Sequence, residues 1–231
     1  MTAPVLIACS HGTAEASARD AIHQLVASAR DALDVDVLEA FVDVQEPRIA
    51  TVVEGIARSA GVSAVVVPLL LSGGYHVYVD VARAVEARRD VVASRALGPD
   101  RRLLAILLDR LAEAGTRPDA AVVLAAAGSS DESSRRDTDA VVEMLAGARA
   151  APVYLGFAAG IHPTVAEAVR DARDAGASAV AVASFLLAPG TFQARLATSG
   201  ADVVTSALAP DLRLVEIVVE RYREAADTRS D

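Results

Sequence analysis

The chain has 231 residues, of which 53% are hydrophobic and 23% charged, a balance that excludes an intrinsically disordered protein. Its net charge of −9, with arginine as the only basic residue type besides histidine, argues against a nucleic-acid partner. No apolar run is long enough to span a membrane, the first residues lack the basic stretch of a signal peptide, and Cys9 is the single cysteine. We therefore expect a cytoplasmic protein without a membrane span or an internal disulfide.

Short apolar runs alternate with helical patterns along the chain. Apolar runs predict strands at 4–9, 36–42, 63–71, 92–96, 120–126, 152–157, 178–187 and 202–207. Apolar residues at helical spacing predict helices at 14–33, 47–59, 76–89, 101–113, 131–147, 163–175 and 211–226. This alternation favours an α/β fold of parallel sheets covered by helices on both faces. Because proline is poorly tolerated in a central strand, we expect a bulge or a strand end at Pro68.

The second part of the chain repeats the first. Three pairs of residues lie 116 positions apart: Gly12 and Gly128, Pro47 and Pro163, and Gly74 and Gly190. Further along, the Leu-Gly-Pro-Asp of 97–100 is echoed by Leu-Ala-Pro-Asp at 208–211, an offset of 111. These matches predict two similar doubly wound parallel-sheet halves, 1–114 and 120–231, related by internal duplication and separated by a Gly- and Pro-containing break.

Polar residues follow the first three predicted strands. Ser10 and His11 follow the first, Glu46 follows the second, and the glycine-rich segment that contains His76 follows the third. Because ligands bind outside the carboxyl ends of parallel strands, we expect these side chains to converge on one edge of the sheet. His11 and His76 are 65 residues apart, so only the topology brings them together.

Two neutral imidazoles with one carboxylate suit a divalent first-row metal ion, and fewer than four protein ligands would leave positions open for exchange. The second half replaces His11, Glu46 and His76 at the matching positions by Ala127, His162 and Phe192. The repeated scaffold therefore does not require the histidine pair. Singly, each residue has a structural alternative, since a histidine can cap a loop and Glu46 can stabilise a helix N-terminus. Whether His162 faces a ligand or only precedes a helix stays open.

The motifs resemble those of the sirohydrochlorin chelatases, the class II chelatases that include CbiX-type cobaltochelatases and siroheme-forming ferrochelatases. The matching motifs are Ser-His-Gly-Thr at 10–13, Glu-Pro at 46–47 and Leu-Leu-Ser-Gly-Gly-Tyr-His-Val-Tyr-Val-Asp at 70–80, and the resemblance covers nearly the whole chain. It implies insertion of Fe²⁺ or Co²⁺, with Ni²⁺ also possible, into sirohydrochlorin without ATP or an organic cofactor. His11 and His76 would then be the catalytic, metal-binding histidines, and Glu46 the acidic ligand.

The resemblance also implies a flat tetrapyrrole substrate with eight carboxylates, held between the two halves of a monomer. Residues that could contact it are Ser10, Gly73, Gly74, Tyr75, Arg48 and Arg83, with Arg19 and Arg195 also near the proposed loops. Any one of these arginines could instead be an ordinary solvated helix residue. Tyr75, Tyr78 and Phe192 could stack on the macrocycle or pack against the sheet. Tyr75 departs from the lysine or glycine of many relatives.

Other functions fit the sequence less well. Histidine phosphatases present an arginine just before the histidine, whereas this chain has Ser10. A dinucleotide-binding turn needs three spaced glycines, and Gly12 stands alone. The remaining alternative is a non-catalytic protein of the same fold that binds or delivers a metal ion or a tetrapyrrole, because sequence does not distinguish holding a metal from inserting it.

Overall fold

The computed structural model describes residues 3–58, 61–73, 75–86, 88–129 and 131–227, without the side chains of 75–78. In these ranges strands and helices alternate throughout. The elements are β1 (Val5–Ser10), α1 (Ala16–Ala32), β2 (Val37–Phe41), α2 (Ile49–Gly55), β3 (Ala64–Pro68), α3 (Tyr75–Glu86), β4 (Val91–Ala93), α4 (Arg101–Glu113), β5 (Ala121–Ala126), α5 (Glu132–Gly147), β6 (Val153–Phe157), α6 (Val165–Asp174), β7 (Val180–Phe185), α7 (Thr191–Leu196), β8 (Val203–Val204) and α8 (Leu212–Asp227). Within these ranges, no helix combines the length and the apolar character that crossing a bilayer requires.

The strands form two parallel four-stranded sheets with the same order. The first is β2-β1-β3-β4 and the second β6-β5-β7-β8. In the first sheet Ile7 lies opposite both Leu38 and Val66, and in the second Leu124 lies opposite Leu155 and Ala183. This arrangement confirms the predicted α/β fold with two similar parallel-sheet halves.

The central strands are buried on both faces because their residues are nearly all Val, Ala, Leu or Ile. On one face of the first sheet, Ile7 and Val66 pack against Val53 of α2 and Val81 of α3. Helices α1 and α8 pack against each other, α1 also against β2 and α8 against β3. Each fully buried Val or Ile side chain contributes about 1.5–3 kcal/mol of transfer free energy. Helices therefore cover both faces of the first sheet, so a ligand can approach it only at the ends of its strands.

The structure bears out one expectation, at the end of β3, and adds one helix, α7, to the predicted elements. β3 ends at Pro68, so the expected strand end is found there and the apolar run to residue 71 continues as a loop. The six-residue helix α7 was not predicted, and it occupies the place that the twelve-residue α3 has in the first half. The number of residues between matching positions of the two repeats falls from 116 before this helix to 111 after it, and the shorter helix accounts for most of that difference.

The compact units of the fold do not coincide with the sequence repeats. One unit comprises 1–98 and 210–231, and the other comprises 99–209. Helix α4 thus belongs with β7 and α5, whereas α8 belongs with β3 and α1. The same arginine position anchors each helix: Arg221 of α8 donates to the carbonyls of Ala96 and Leu97 at 3.1 Å each. Arg110 of α4 donates to those of residues 207 and 208 at 3.3 and 3.2 Å. The repeats have therefore exchanged their last helices.

Candidate metal site

The loops after β1 and β2 are joined by backbone hydrogen bonds at the carboxyl edge of the first sheet. The Asp43 N–H donates to the His11 carbonyl at 2.9 Å, and the N–H of Val42 donates to the carbonyl of Ser10 at 3.0 Å. Gly12 has φ of +91°, and a Cβ there would collide with the Asp43 carbonyl oxygen. Only glycine satisfies both conditions, so the glycine of the His-Gly motif lets the two loops meet.

A tight turn follows β2 and packs on the His-Gly loop. The N–H of Gln45 donates to the carbonyl of Asp43 at 2.6 Å, and the residue between them, Val44, has φ of +62°. The side-chain oxygen of Gln45 accepts from the N–H of Thr13 at 2.8 Å. The turn therefore holds the chain that leads to Glu46 beside the chain that carries His11.

One arginine bonds both carboxylates of this turn. Arg48 donates to Asp43 at 2.9 Å, to Glu46 at 3.1 Å and to the Val42 carbonyl at 2.8 Å. The hydrogen bond from the N–H of Val44, then that from Arg48 and, more weakly, the charge of nearby His11 lower the pKa of Asp43 below its ordinary value. Asp43 is thus ionised at neutral pH close to His11, and Glu46 is 72% exposed to solvent. Two carboxylates, rather than one, accompany His11 at this edge.

The third predicted loop is described only in part. Gly73 is buried, and the backbone of His76 lies in the first turn of α3, the next helix after β3. Gly74, and the side chains of Tyr75, His76 and Tyr78, lie outside the described part of the chain. The convergence of His76 with His11 therefore stays a prediction that the order of the strands supports. Among the described side chains, no three histidine, cysteine or acidic residues are close enough to form a metal-binding group.

Cys9 is not a competing ligand. Its side chain is fully buried in β1, and burial, followed by the negative charge of Asp80, raises the pKa of its thiol to about 12. A thiol must lose its proton to bind a metal ion, and the raised pKa keeps the Cys9 thiol protonated at neutral pH. Cys9 therefore acts as a buried core residue.

The proposed substrate-contacting residues occupy different environments. Ser10 is buried at the end of β1. Arg83 on α3 has a side chain that is 75% exposed and lies 4.0 Å from Asp80. Arg19 on α1 donates to the carbonyl of Ala14 at 3.1 Å. Arg48 is already engaged by two carboxylates, so its contacts favour a role in positioning Asp43 and Glu46 over direct substrate binding.

The second unit repeats the geometry of these loops without the histidine pair. Gly128 has φ of +101°, and a Cβ there would collide with the carbonyl oxygen of Ala159. His162 is 79% exposed and bonds Glu167 at 2.8 Å, next to a capping box that opens α6. Phe192 is 40% exposed, and the guanidinium of Arg195 lies 5.8 Å from the centre of its ring. His162 thus takes part in the contacts at the start of α6, which is one of the two roles that the sequence left open for it.

Two contacts of the site were not predicted from the sequence: the bond of Gln45 to the opposite loop, and the bridge that Arg48 forms between Asp43 and Glu46. Polar residues are concentrated between 43 and 48, directly after a buried strand, and this pattern could have indicated a polar cluster there. It did not indicate which of them face His11.

The sequence model of the CbiX family matches residues 5–114 and again 121–225. The chain belongs to the CbiX family. It is 26% identical over 196 residues to a protein named sirohydrochlorin ferrochelatase from Priestia megaterium, an alignment that covers 80% of this chain and 73% of that protein. The structure of SirB from Bacillus subtilis with Fe³⁺ superposes with a TM-score of 0.78, at 19% identity, over 98% of this chain and 96% of SirB.

The structure of CbiX, described as the terminal enzyme for biosynthesis of siroheme in denitrifying bacteria, superposes on this CbiX-family chain with a TM-score of 0.70. The identity is 18%, and the match covers 96% of this chain and 99% of that one. At these identities the solved structures establish the shared fold. The family model, which matches both repeats, establishes the family.

Proposed function

We propose that this CbiX-family protein is a sirohydrochlorin chelatase, which inserts a divalent metal ion into the tetrapyrrole without ATP. The observation that carries the proposal is the junction of the His11 loop with the acidic turn at 43–46, at the edge where an open parallel sheet binds its ligands. The name of the Priestia megaterium relative and the metal-bound state of Bacillus subtilis SirB support the same chemistry. The metal ion is a substrate of this reaction.

Metal insertion sets two requirements that these residues can meet. The ion must be held by few ligands, because a closed four-ligand cage would not release it to the macrocycle. His11 and His76, with Glu46, provide nitrogen and oxygen ligands of intermediate affinity for Fe²⁺, Co²⁺ and Ni²⁺. Asp43, held ionised beside His11, adds negative charge that favours approach of a dication.

The macrocycle must also lose two pyrrole protons as the dication enters. An imidazole that has released the metal ion is free to accept one of them, and an exposed carboxylate can accept the other. Glu46 is exposed, and Arg48 donates to both of its carboxylate oxygens. The Nε–H of Arg48 donates to one oxygen at 3.1 Å, and the backbone N–H of Arg48 donates to the other at 2.9 Å. Glu46 therefore has a fixed direction before the substrate arrives.

The substrate's carboxylates need compensating positive charge in a protein with a net charge of −9. Arg83, with its largely exposed side chain one to two turns after His76, is the arginine of the first unit best suited to this role. We assign Arg83 as the carboxylate-binding candidate, with the monomer as the expected active form.

A direct assay follows the absorbance spectrum of sirohydrochlorin after addition of Fe²⁺, Co²⁺ or Ni²⁺, with and without the protein. We expect acceleration over the spontaneous rate, and a loss of about a hundredfold for His11→Ala and for His76→Ala. His23→Ala is the matched control, because His23 lies on α1 in a pair with Glu39 and is 54% exposed. It should retain wild-type activity.

The outcomes separate the proposals. No acceleration with any metal ion, together with tight binding of the metal or tetrapyrrole, would leave a binding or delivery protein. Full activity in both histidine variants would overturn the assignment of His11 and His76 to the site, and it would leave the proposed chelatase activity in place. The preferred metal ion in this assay also indicates whether the product is siroheme or a cobalt-containing precursor of cobalamin.

A further inference from the structure

Val44 has a backbone conformation that its side chain disfavours. Among the described residues, it is the one non-glycine residue with a positive φ, +62°. Branching at Cβ makes this left-handed region especially unfavourable for valine. Its side chain is also 53% exposed, so burial in the core does not compensate. An exposed and strained apolar residue needs another explanation.

The second unit shows what the fold alone requires at this position. Gly160, 116 residues later, occupies the equivalent turn with φ of +79°. The surrounding hydrogen bonds are the same: Ala159 N–H donates to the carbonyl of residue 127 at 3.1 Å, and Ile161 N–H to that of Ala159 at 3.0 Å. Glycine adopts this conformation without strain. The turn therefore works with glycine, and valine is not needed to build it.

The neighbouring contacts explain how the strained conformation persists. Asp43 is fixed on one side by the His11 carbonyl and by Arg48, and Gln45 on the other side by the Thr13 N–H. Val44 lies between these two anchored residues at the tip of the turn. Strain that is imposed by its surroundings in this way is typical of ligand-contacting positions.

The surroundings of Val44 are otherwise polar. Asp43 precedes it, Gln45 and Glu46 follow it in the chain, and the turn packs on the loop that carries His11. We propose that the exposed Val44 side chain packs against the face of the flat tetrapyrrole and positions the ring over His11. This inference rests on the proposed chelatase function and adds a specificity residue to it. An apolar contact here would favour a planar macrocycle over other carboxylate-rich molecules.

Two variants separate the side chain from the turn. Val44→Gly removes both the side chain and the strain, whereas Val44→Ala removes two methyl groups and keeps a non-glycine residue in the left-handed region. We expect the Kd for metal-free sirohydrochlorin, measured by fluorescence quenching, and the KM to rise about tenfold in Val44→Gly and several-fold in Val44→Ala, as expected for loss of one partly exposed valine contact. The kcat should change much less, since the contact is made before and during the reaction.

The matched control is Gly160→Val, which places the same strain in the second unit. Its thermal midpoint should fall, while that of Val44→Gly should equal or exceed the wild-type midpoint. Unchanged Kd and KM in both Val44 variants would overturn the inference and leave the chelatase proposal intact. A rise in Val44→Gly alone would assign the effect to turn flexibility and also overturn it. Absence of tetrapyrrole binding by the wild type would overturn both proposals.

Discussion

Replacing Gly12 by alanine should impair both the stability and the activity of the protein. In its left-handed conformation an alanine costs about 1–2 kcal/mol. Its Cβ would also displace the Asp43 carbonyl, an overpacking cost of about 1–3 kcal/mol. The lower entropy of the unfolded alanine chain offsets about 0.5–1 kcal/mol. The net loss is about 1–4.5 kcal/mol, which lowers the midpoint of thermal unfolding by roughly 3–14 °C at about 3 °C per kcal/mol.

The paired substitution in the second unit, Gly128→Ala, is the control for the activity part. It meets the Ala159 carbonyl in the same geometry and should lose the same stability, measured by thermal and urea unfolding. Only Gly12→Ala should shift the acidic turn away from His11 and lower the rate of metal insertion, by about a hundredfold for a displacement of about 1 Å. Equal activity losses in both variants, or unchanged stability in Gly12→Ala, would refute this explanation.

Three further substitutions test contacts of the described residues. Asp90→Asn should destabilise the fold by about 3 kcal/mol in urea titrations, because Arg88 is buried and bonds Asp90 at 2.9 Å; a value near zero would contradict that role. Bonds from Thr164 and His162 lower the pKa of Glu167 to about 2, so the stability this carboxylate contributes is present above its ordinary pKa of 4.5 and lost as the pH falls toward 2. The thermal midpoint of Glu167→Gln should therefore vary less than that of the wild type between pH 6 and pH 3, and parallel curves would be inconsistent with this. Arg48→Gln removes the bonds that orient Asp43 and Glu46, so Co²⁺ binding measured by calorimetry should weaken and insertion should slow; unchanged Co²⁺ binding would contradict the positioning role.

The sequence was sufficient to predict the central strands, because Val- and Ala-rich runs such as 64–68 and 121–126 are typical of strands buried on both faces of a parallel sheet. It was not sufficient to assign the last helix of each repeat. Helices α4 and α8 have similar apolar faces and follow similar Leu-x-Pro-Asp segments, so either sheet satisfies their periodicity. Only the positions of the arginine anchors, Arg110 and Arg221, in three dimensions distinguish the two pairings.

At the candidate site, topology predicted the meeting of the His11 and Glu46 loops because parallel strand ends share an edge. The contribution of Val44 was invisible in the sequence, since a valine in a polar loop gives no sign of its φ value. It became apparent only from the comparison with Gly160 in the second unit. Internal duplication thus supplied a built-in reference for separating residues that serve the fold from residues that serve the ligand.

The exchange of the last helices also sets an order for folding during synthesis. The unit 99–209 is continuous, so all of its residues are synthesised before α8 is made. The unit that carries His11 must wait for α8, whose buried Leu214, Ile217 and Val218 complete its core and whose Tyr222 hydroxyl bonds the carbonyl of Pro4 at 2.6 Å. A nascent chain therefore presents its His11 loop on an incompletely covered sheet until α8 has been made, and the unit that carries His11 is completed after the unit that lacks the histidine pair.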